Sequence, residues 1–162
     1  MEKIWKNNGD GRYSLYLGER LAGVLTMDSS AGSRATATIE GKTYTIRVKG
    51  FWGSEILIAD SSGKEVIKLS PITWYSSKYH LYHNGVILQL EIRNNPLAEL
   101  VLSDDRHELL SYGLNSSGLG RVGVKIGGSQ SEDILYDFLL WYLFMPVAQE
   151  QSGENPIFTV LS

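Results

Sequence analysis

No cysteine occurs anywhere in the chain, and that one absence removes disulfide frameworks, thiolate zinc sites and cysteine nucleophiles together. Histidine is scarce too, His80, His83 and His107 being the whole supply. Catalytic zinc usually takes three protein ligands with an open position, and no recognisable spacing supplies them here. An excess of charge is also missing: 15 lysines and arginines against 18 aspartates and glutamates leave a net charge of only −3. Such a balance gives no bulk drive towards nucleic acid, whose phosphates need a clustered basic face. The first residues, Met-Glu-Lys-Ile-Trp-Lys-Asn-Asn-Gly, hold no apolar run of the secretory kind, so the expectation is a cytoplasmic protein, peripheral at a membrane at most. A chain of 162 residues buries a real core without staples, and a single domain over 1–162 is expected.

What is present is alternation. From Lys3 to Ile126 apolar residues recur at every second position between clusters of turn residues, the pattern of short strands with one wet face. Tyr13, Leu15 and Leu17 share a face, as do Ala35, Ala37 and Ile39, then Tyr44, Ile46 and Val48, then Val86, Leu88, Leu90 and Ile92. Asn8-Gly9-Asp10-Gly11, Glu40-Gly41-Lys42, Ser61-Ser62-Gly63 and Asn84-Gly85 supply residues that tolerate the left-handed backbone of tight hairpins. About a dozen strands in a meander follow.

The pattern changes after Ser129-Gln-Ser-Glu132, which has the spelling of a capping box. A helix is expected to start near Ser131 and to run to about residue 146, where Pro146 stops it. Between Ile134 and Met145 only Asp137 is charged, so the helix has no polar stripe and must be enclosed. At about 1.5 Å per residue it is too short for a hydrocarbon core of about 30 Å, and no transmembrane span is expected. Phe138, Trp141, Tyr142 and Phe144 read as buried helix core, while Asp137 must be paired, hydrogen-bonded or protonated, or else reach the rim. Gln149 to Pro156 reads as a polar loop, and 157–161 as one last strand.

Strands with one apolar face and a helix with no polar face satisfy each other if the sheet wraps the helix. The fold class expected is mainly β: an antiparallel meander closed into a barrel of about twelve strands around one hydrophobic C-terminal helix. The stretch Ile56-Leu-Ile-Ala-Asp60-Ser-Ser-Gly63-Lys-Glu-Val66-Ile-Lys-Leu69, with Trp74 and Lys78-Tyr-His-Leu-Tyr-His-Asn-Gly85 after it, resembles the tubby C-terminal-like superfamily, including the LURP-one-related proteins and the phospholipid scramblases. The resemblance implies a barrel threaded by its C-terminal helix and a binding role. Tubby proteins bind phosphoinositides through basic residues on the barrel, and Lys42, Arg47, Lys49, Lys64 and Lys68 are the basic residues on neighbouring strands and turns that suit headgroups or other anions.

Motifs for catalysis are thin. Gly118-Leu-Gly120-Arg-Val-Gly123 spells a dinucleotide fingerprint, yet it leads into the alternating Val122-Gly-Val-Lys-Ile126 instead of a helix. Asp104-Asp105 before Arg106-His107 reads as a turn, Asp60 likewise, and no serine elbow appears. Phe51-Trp52 and Trp74-Tyr75 are aromatic pairs suited to a membrane-surface or protein contact, or to cross-strand packing. The resulting expectation is a non-catalytic binding or scaffold module, without cofactor or metal, contacting phospholipid headgroups or a protein partner. The alternative is a lipocalin-like carrier of a small apolar ligand, in which the helix packs outside an open lumen.

Overall fold

A computed structural model describes residues 2–28, 34–49, 55–73, 77–94, 97–116, 122–128, 133–152 and 160–161. Over them the chain is mainly β, with twelve strands before a single helix and a two-residue strand after it. The chain divides into two compact units, Met1–Gln89 and Leu90–Ser162.

The first unit holds β1 (Lys3–Gly9), β2 (Arg12–Leu17), β3 (Arg20–Asp28), β4 (Arg34–Ile39), β5 (Lys42–Lys49), β6 (Glu55–Ala59), β7 (Glu65–Pro71), β8 (Lys78–His83) and the start of β9 (Val86–Asn94). From β1 to β8 each strand pairs antiparallel with its sequence neighbours. The hairpins close through residues of positive φ, Glu40 at 50° with Gly41 at 78° and Asn84 at 51° with Gly85 at 75°. Two consecutive left-handed residues match the right-handed twist of the flanking strands, so these turns keep the register tight. That register aligns apolar residues in rows across the sheet: Tyr13, Leu25 and Ala37 in one, Ile46, Ile58 and Ile67 in another. All six are buried. Each buried leucine or isoleucine of such a row contributes about 1.5–3 kcal/mol.

The second unit holds the rest of β9, β10 (Ala98–Ser103), β11 (Glu108–Ser116), β12 (Val122–Gly127), α1 (Ile134–Ser152) and β13 (Val160–Leu161). β10, β11 and β12 pair antiparallel, which sets Leu100, Tyr112 and Ile126 in one buried row. β13 pairs with β12 in parallel, Val124 opposite Val160. Parallel neighbours need a crossover, and α1 provides it.

The helix departs from expectation at both ends. Asp133 caps it, accepting the Leu135 N–H at 3.0 Å on its carboxylate and the Tyr136 N–H at 3.1 Å on its carbonyl. This cap lies two residues beyond the start expected near Ser131, because a carboxylate facing the open N–H groups of the first turn also meets the positive end of the helix dipole. The capping-box spelling Ser129–Glu132 lies outside the described residues. At the other end α1 continues past Pro146 to Ser152. Proline removes one hydrogen bond to the preceding turn, but Ala148 is fully buried and its packing holds the helix beyond the break. The polar loop expected from Gln149 therefore begins as helix.

α1 packs on β10 and β11. Phe138, Trp141, Tyr142 and Phe144 are buried, as are Leu139, Leu140 and Met145 around them, while Tyr136 and Leu143 are part-exposed and Pro146 is exposed.

Candidate functional site

Two places gather unusual side chains. One is the outward face of β5 to β9 in the first unit; the other is the contact between α1 and β11 in the second.

On the first unit the registers place Arg47, Leu57, Lys68 and Tyr82 in one row across β5, β6, β7 and β8. The two-residue turn at Asn84-Gly85 then sets Ile87 across from Tyr82. Alternation puts this row on the face opposite Ile46, Ile58 and Ile67. Leu57 is nonetheless buried, flanked by two long basic side chains whose aliphatic stems can cover it while their heads stay wet. Tyr82 and Ile87 are not covered, at 39% and 58% exposed. Lys68 Nζ lies 6.0 Å from the centre of the Tyr82 ring, and His80 meets that ring edge-on at 6.1 Å. A cation over an aromatic beside an exposed isoleucine is an amphipathic surface with a basic rim.

Of the five basic residues singled out from sequence, this face brings together Arg47, Lys49 and Lys68. Lys42 falls on the opposite side of β5 by alternation, beside the Glu40-Gly41 turn, and Lys64 sits in the turn before β7. Acidic residues are interleaved: Lys68 pairs with Glu55 at 3.7 Å and Lys49 with Glu65 at 3.8 Å. Both pairs are solvent-exposed and contribute at most about 1 kcal/mol each.

The acidic turns are closed on themselves. Asp60 accepts hydrogen bonds from the Ser62 hydroxyl at 2.6 Å and from the Ser62 and Lys64 N–H groups at 2.9 and 3.0 Å. The Ser62 hydroxyl, with those N–H groups, holds its carboxyl below the ordinary value of 3.8. Asp104 accepts from the Arg106 and His107 N–H groups, each at 2.7 Å, and is held low for that reason. Carboxylates so engaged are turn builders; neither is poised as a general base. His80 and His83 lie on opposite sides of β8, His80 across from Ser70 and His83 across from Ile67. Among the described residues no group of three histidines or carboxylates is placed to hold a metal ion. The glycines at 118 and 120 and the aromatic pairs at 51–52 and 74–75 lie outside the described residues.

At the helix, Asp137 is fully buried and its Oδ1 accepts a hydrogen bond from the Tyr112 hydroxyl at 2.6 Å. Tyr112 also meets Trp141 and Phe144 edge-on, with ring centres 6.0 and 6.4 Å apart. Asp137, Trp141 and Phe144 follow at helical spacing, so one stripe of α1 lies on one strand residue. The two ring contacts add about 0.5–1.5 kcal/mol each beyond area burial. Sequence reasoning singled out Asp137 but not Tyr112. The signal was there, since a buried carboxylate needs a donor and Tyr112 shares an alternation face with Leu110 and Leu114.

Burial also raises three tyrosine hydroxyls, those of Tyr13, Tyr142 and Tyr136; at Tyr136 burial and then the Asp133 charge push the value up to about 12. A phenol whose folded pKa exceeds its unfolded value stabilises the fold below pH 10 and loses that contribution as pH rises from about 10 towards 12. Stability is therefore expected to fall across that alkaline window. Tyr136→Phe should lessen the fall, as read by urea midpoints at successive pH values, and a slope identical to the unsubstituted protein would refute the assignment.

No protein-family model, no curated protein and no solved structure matches this chain.

Proposed function

We propose that this protein is a non-catalytic binding module of the tubby-like kind, which lays the outward face of β5 to β9 against an anionic phospholipid surface. The observation that carries the reading is the pairing of exposed Tyr82 and Ile87 with Arg47, Lys49 and Lys68 on that one face. An apolar pair gains by entering the headgroup boundary, tyrosine is suited to that depth, and each nearby basic residue adds about 1 kcal/mol against an anionic leaflet. The interleaved Glu55 and Glu65 keep the face only weakly positive, so binding should be reversible and sensitive to salt.

The carrier reading gains no support from the helix. Phe138, Leu139, Leu140 and Phe144 are fully buried, so this part of the helix is packed core and presents no surface to cargo.

Sedimentation with vesicles tests the proposal. The protein should pellet with vesicles containing phosphatidylserine and stay in solution with phosphatidylcholine alone. Removing two basic side chains in Arg47→Ala/Lys68→Ala should weaken binding about thirty-fold at low salt, and Tyr82→Ser/Ile87→Ser should also reduce it. Equal binding to both vesicle types, or none to the anionic ones, would rule the reading out.

A further inference from the structure

We infer that Asn84 is a site of spontaneous covalent modification, converting to aspartate and isoaspartate while the other Asn-Gly of the chain, at Asn8, is protected. The reaction needs no cofactor. The backbone nitrogen of Gly85 attacks Cγ of the Asn84 side chain; the new N–Cγ bond forms as the Cγ–Nδ2 bond breaks, and ammonia leaves carrying the proton of the Gly85 amide. Water then opens the cyclic imide at either carbonyl, leaving a carboxylate on the normal or on the lengthened backbone. Glycine after asparagine is what makes the attack sterically open, since no Cβ stands beside the nucleophile.

The sequence offers this dipeptide twice, at Asn8-Gly9 and Asn84-Gly85, and all four residues are exposed. Exposure therefore does not separate them; hydrogen bonding does. At the first, both reacting groups are engaged: the Asn8 carboxamide nitrogen donates to the Ser14 hydroxyl, and the Gly9 N–H donates to Asn7 Oδ1 at 2.9 Å. At the second, among the described residues neither the Asn84 carboxamide nor the Gly85 N–H has a hydrogen-bond partner. Ring closure also requires the Asn84 backbone to leave its left-handed conformation, in which φ is 51°. A hairpin tip opens at low cost compared with the strands it joins, so this step slows the reaction without stopping it.

The product has a consequence for the binding face. The new carboxylate appears two residues from Tyr82 and three before Ile87, a negative charge set against an anionic surface. This consequence rests on the binding reading; the chemistry does not.

The test is incubation of the intact protein in mildly alkaline buffer at physiological temperature, followed by digestion and mass spectrometry of the peptides spanning residues 8 and 84. Exchange of an amide NH2 for OH marks conversion, and enzymatic methylation of isoaspartate marks the lengthened product. Asn84 should convert at least several-fold faster than Asn8 in the folded protein, and the difference should vanish in urea. Equal rates in the folded state, a faster Asn8, or an intact Asn84 under conditions where the unfolded chain reacts would overturn the inference. Asn84→Asp places the charge at once: weaker pelleting with phosphatidylserine vesicles supports the stated consequence. Conversion at Asn84 with vesicle binding unchanged in Asn84→Asp would keep the modification and remove the binding face.

Discussion

Tyr112→Phe should destabilise the protein by about 2 kcal/mol although it removes a single oxygen atom, because it takes a hydrogen-bond donor from a fully buried carboxyl group. Asp137→Ala should cost more, about 3 kcal/mol or above, since it removes the acceptor from the Tyr112 hydroxyl and leaves a gap between helix and strand. The double variant Tyr112→Phe/Asp137→Leu is the informative one. It replaces both members by apolar groups, and a buried polar pair exchanged as a unit is often close to neutral. Urea midpoints of the four proteins read the cycle directly, provided the slopes agree. A double variant as unstable as the sum of the singles would show that the two groups act independently. A Tyr112→Phe midpoint equal to the unsubstituted one would show that the 2.6 Å contact contributes nothing.

Such a pair raises the question of why the apolar stretch of α1 between Ile134 and Met145 carries one carboxyl group. An apolar helix can rotate or slide among several packings of similar energy, whereas the hydrogen bond from Tyr112 to Asp137 rewards the register that makes it. Tyr112 lies on β11 in the row with Leu100 and Ile126, so the bond fixes α1 against a defined line of the sheet. The expected signature is that Tyr112→Phe/Asp137→Leu keeps its stability while the fluorescence of Trp141 broadens, as its indole samples more than one environment.

How much of this was legible beforehand differs from residue to residue. Alternation gave the strands, because a half-buried strand writes its burial into every second position: Ile46 is buried between exposed Arg47 and half-buried Thr45. The turns at Glu40-Gly41 and Asn84-Gly85 were legible for the same local reason, since positive φ restricts which residues appear. Asp137 was legible as an anomaly, and its solution was not, because the donor comes from a strand 25 residues earlier and no local pattern connects them. The end of α1 is not legible at Pro146, where tertiary burial of Ala148 outweighs the local signal of a helix breaker. The basic residues show the limit most plainly. Charge is visible in sequence, but whether Lys68 faces Glu55 and lies over Tyr82 depends on pairing between strands, and a shift of one residue would turn each side chain to the other face.

Gly128→Ala is expected to be the most damaging single methyl in the described chain, costing about 4 kcal/mol or more, from a strained backbone and a collision with atoms that cannot rotate away. Gly128 has φ of +109°, and a Cβ there would lie 2.5 Å from the Leu109 carbonyl oxygen and 2.7 Å from Leu110 Cα, both belonging to the backbone of β11. Gly63→Ala separates the two causes. It also sits at positive φ, +86°, but a Cβ there would meet nothing within 4 Å, so it pays conformational strain alone and should cost about 1 kcal/mol. Relief of the collision at Gly128 requires β12 to move away from β11, and β12 carries Ile126, which pairs with Tyr112. The damage should thus reach the helix: Gly128→Ala should lower the urea midpoint and also expose Trp141 to an external quencher, while Gly63→Ala should leave that tryptophan protected. If the two alanine variants prove equally stable, the close approach of Gly128 to β11 is not a constraint on the fold, and the packing of β12 against the Tyr112 row must be looser than these distances require.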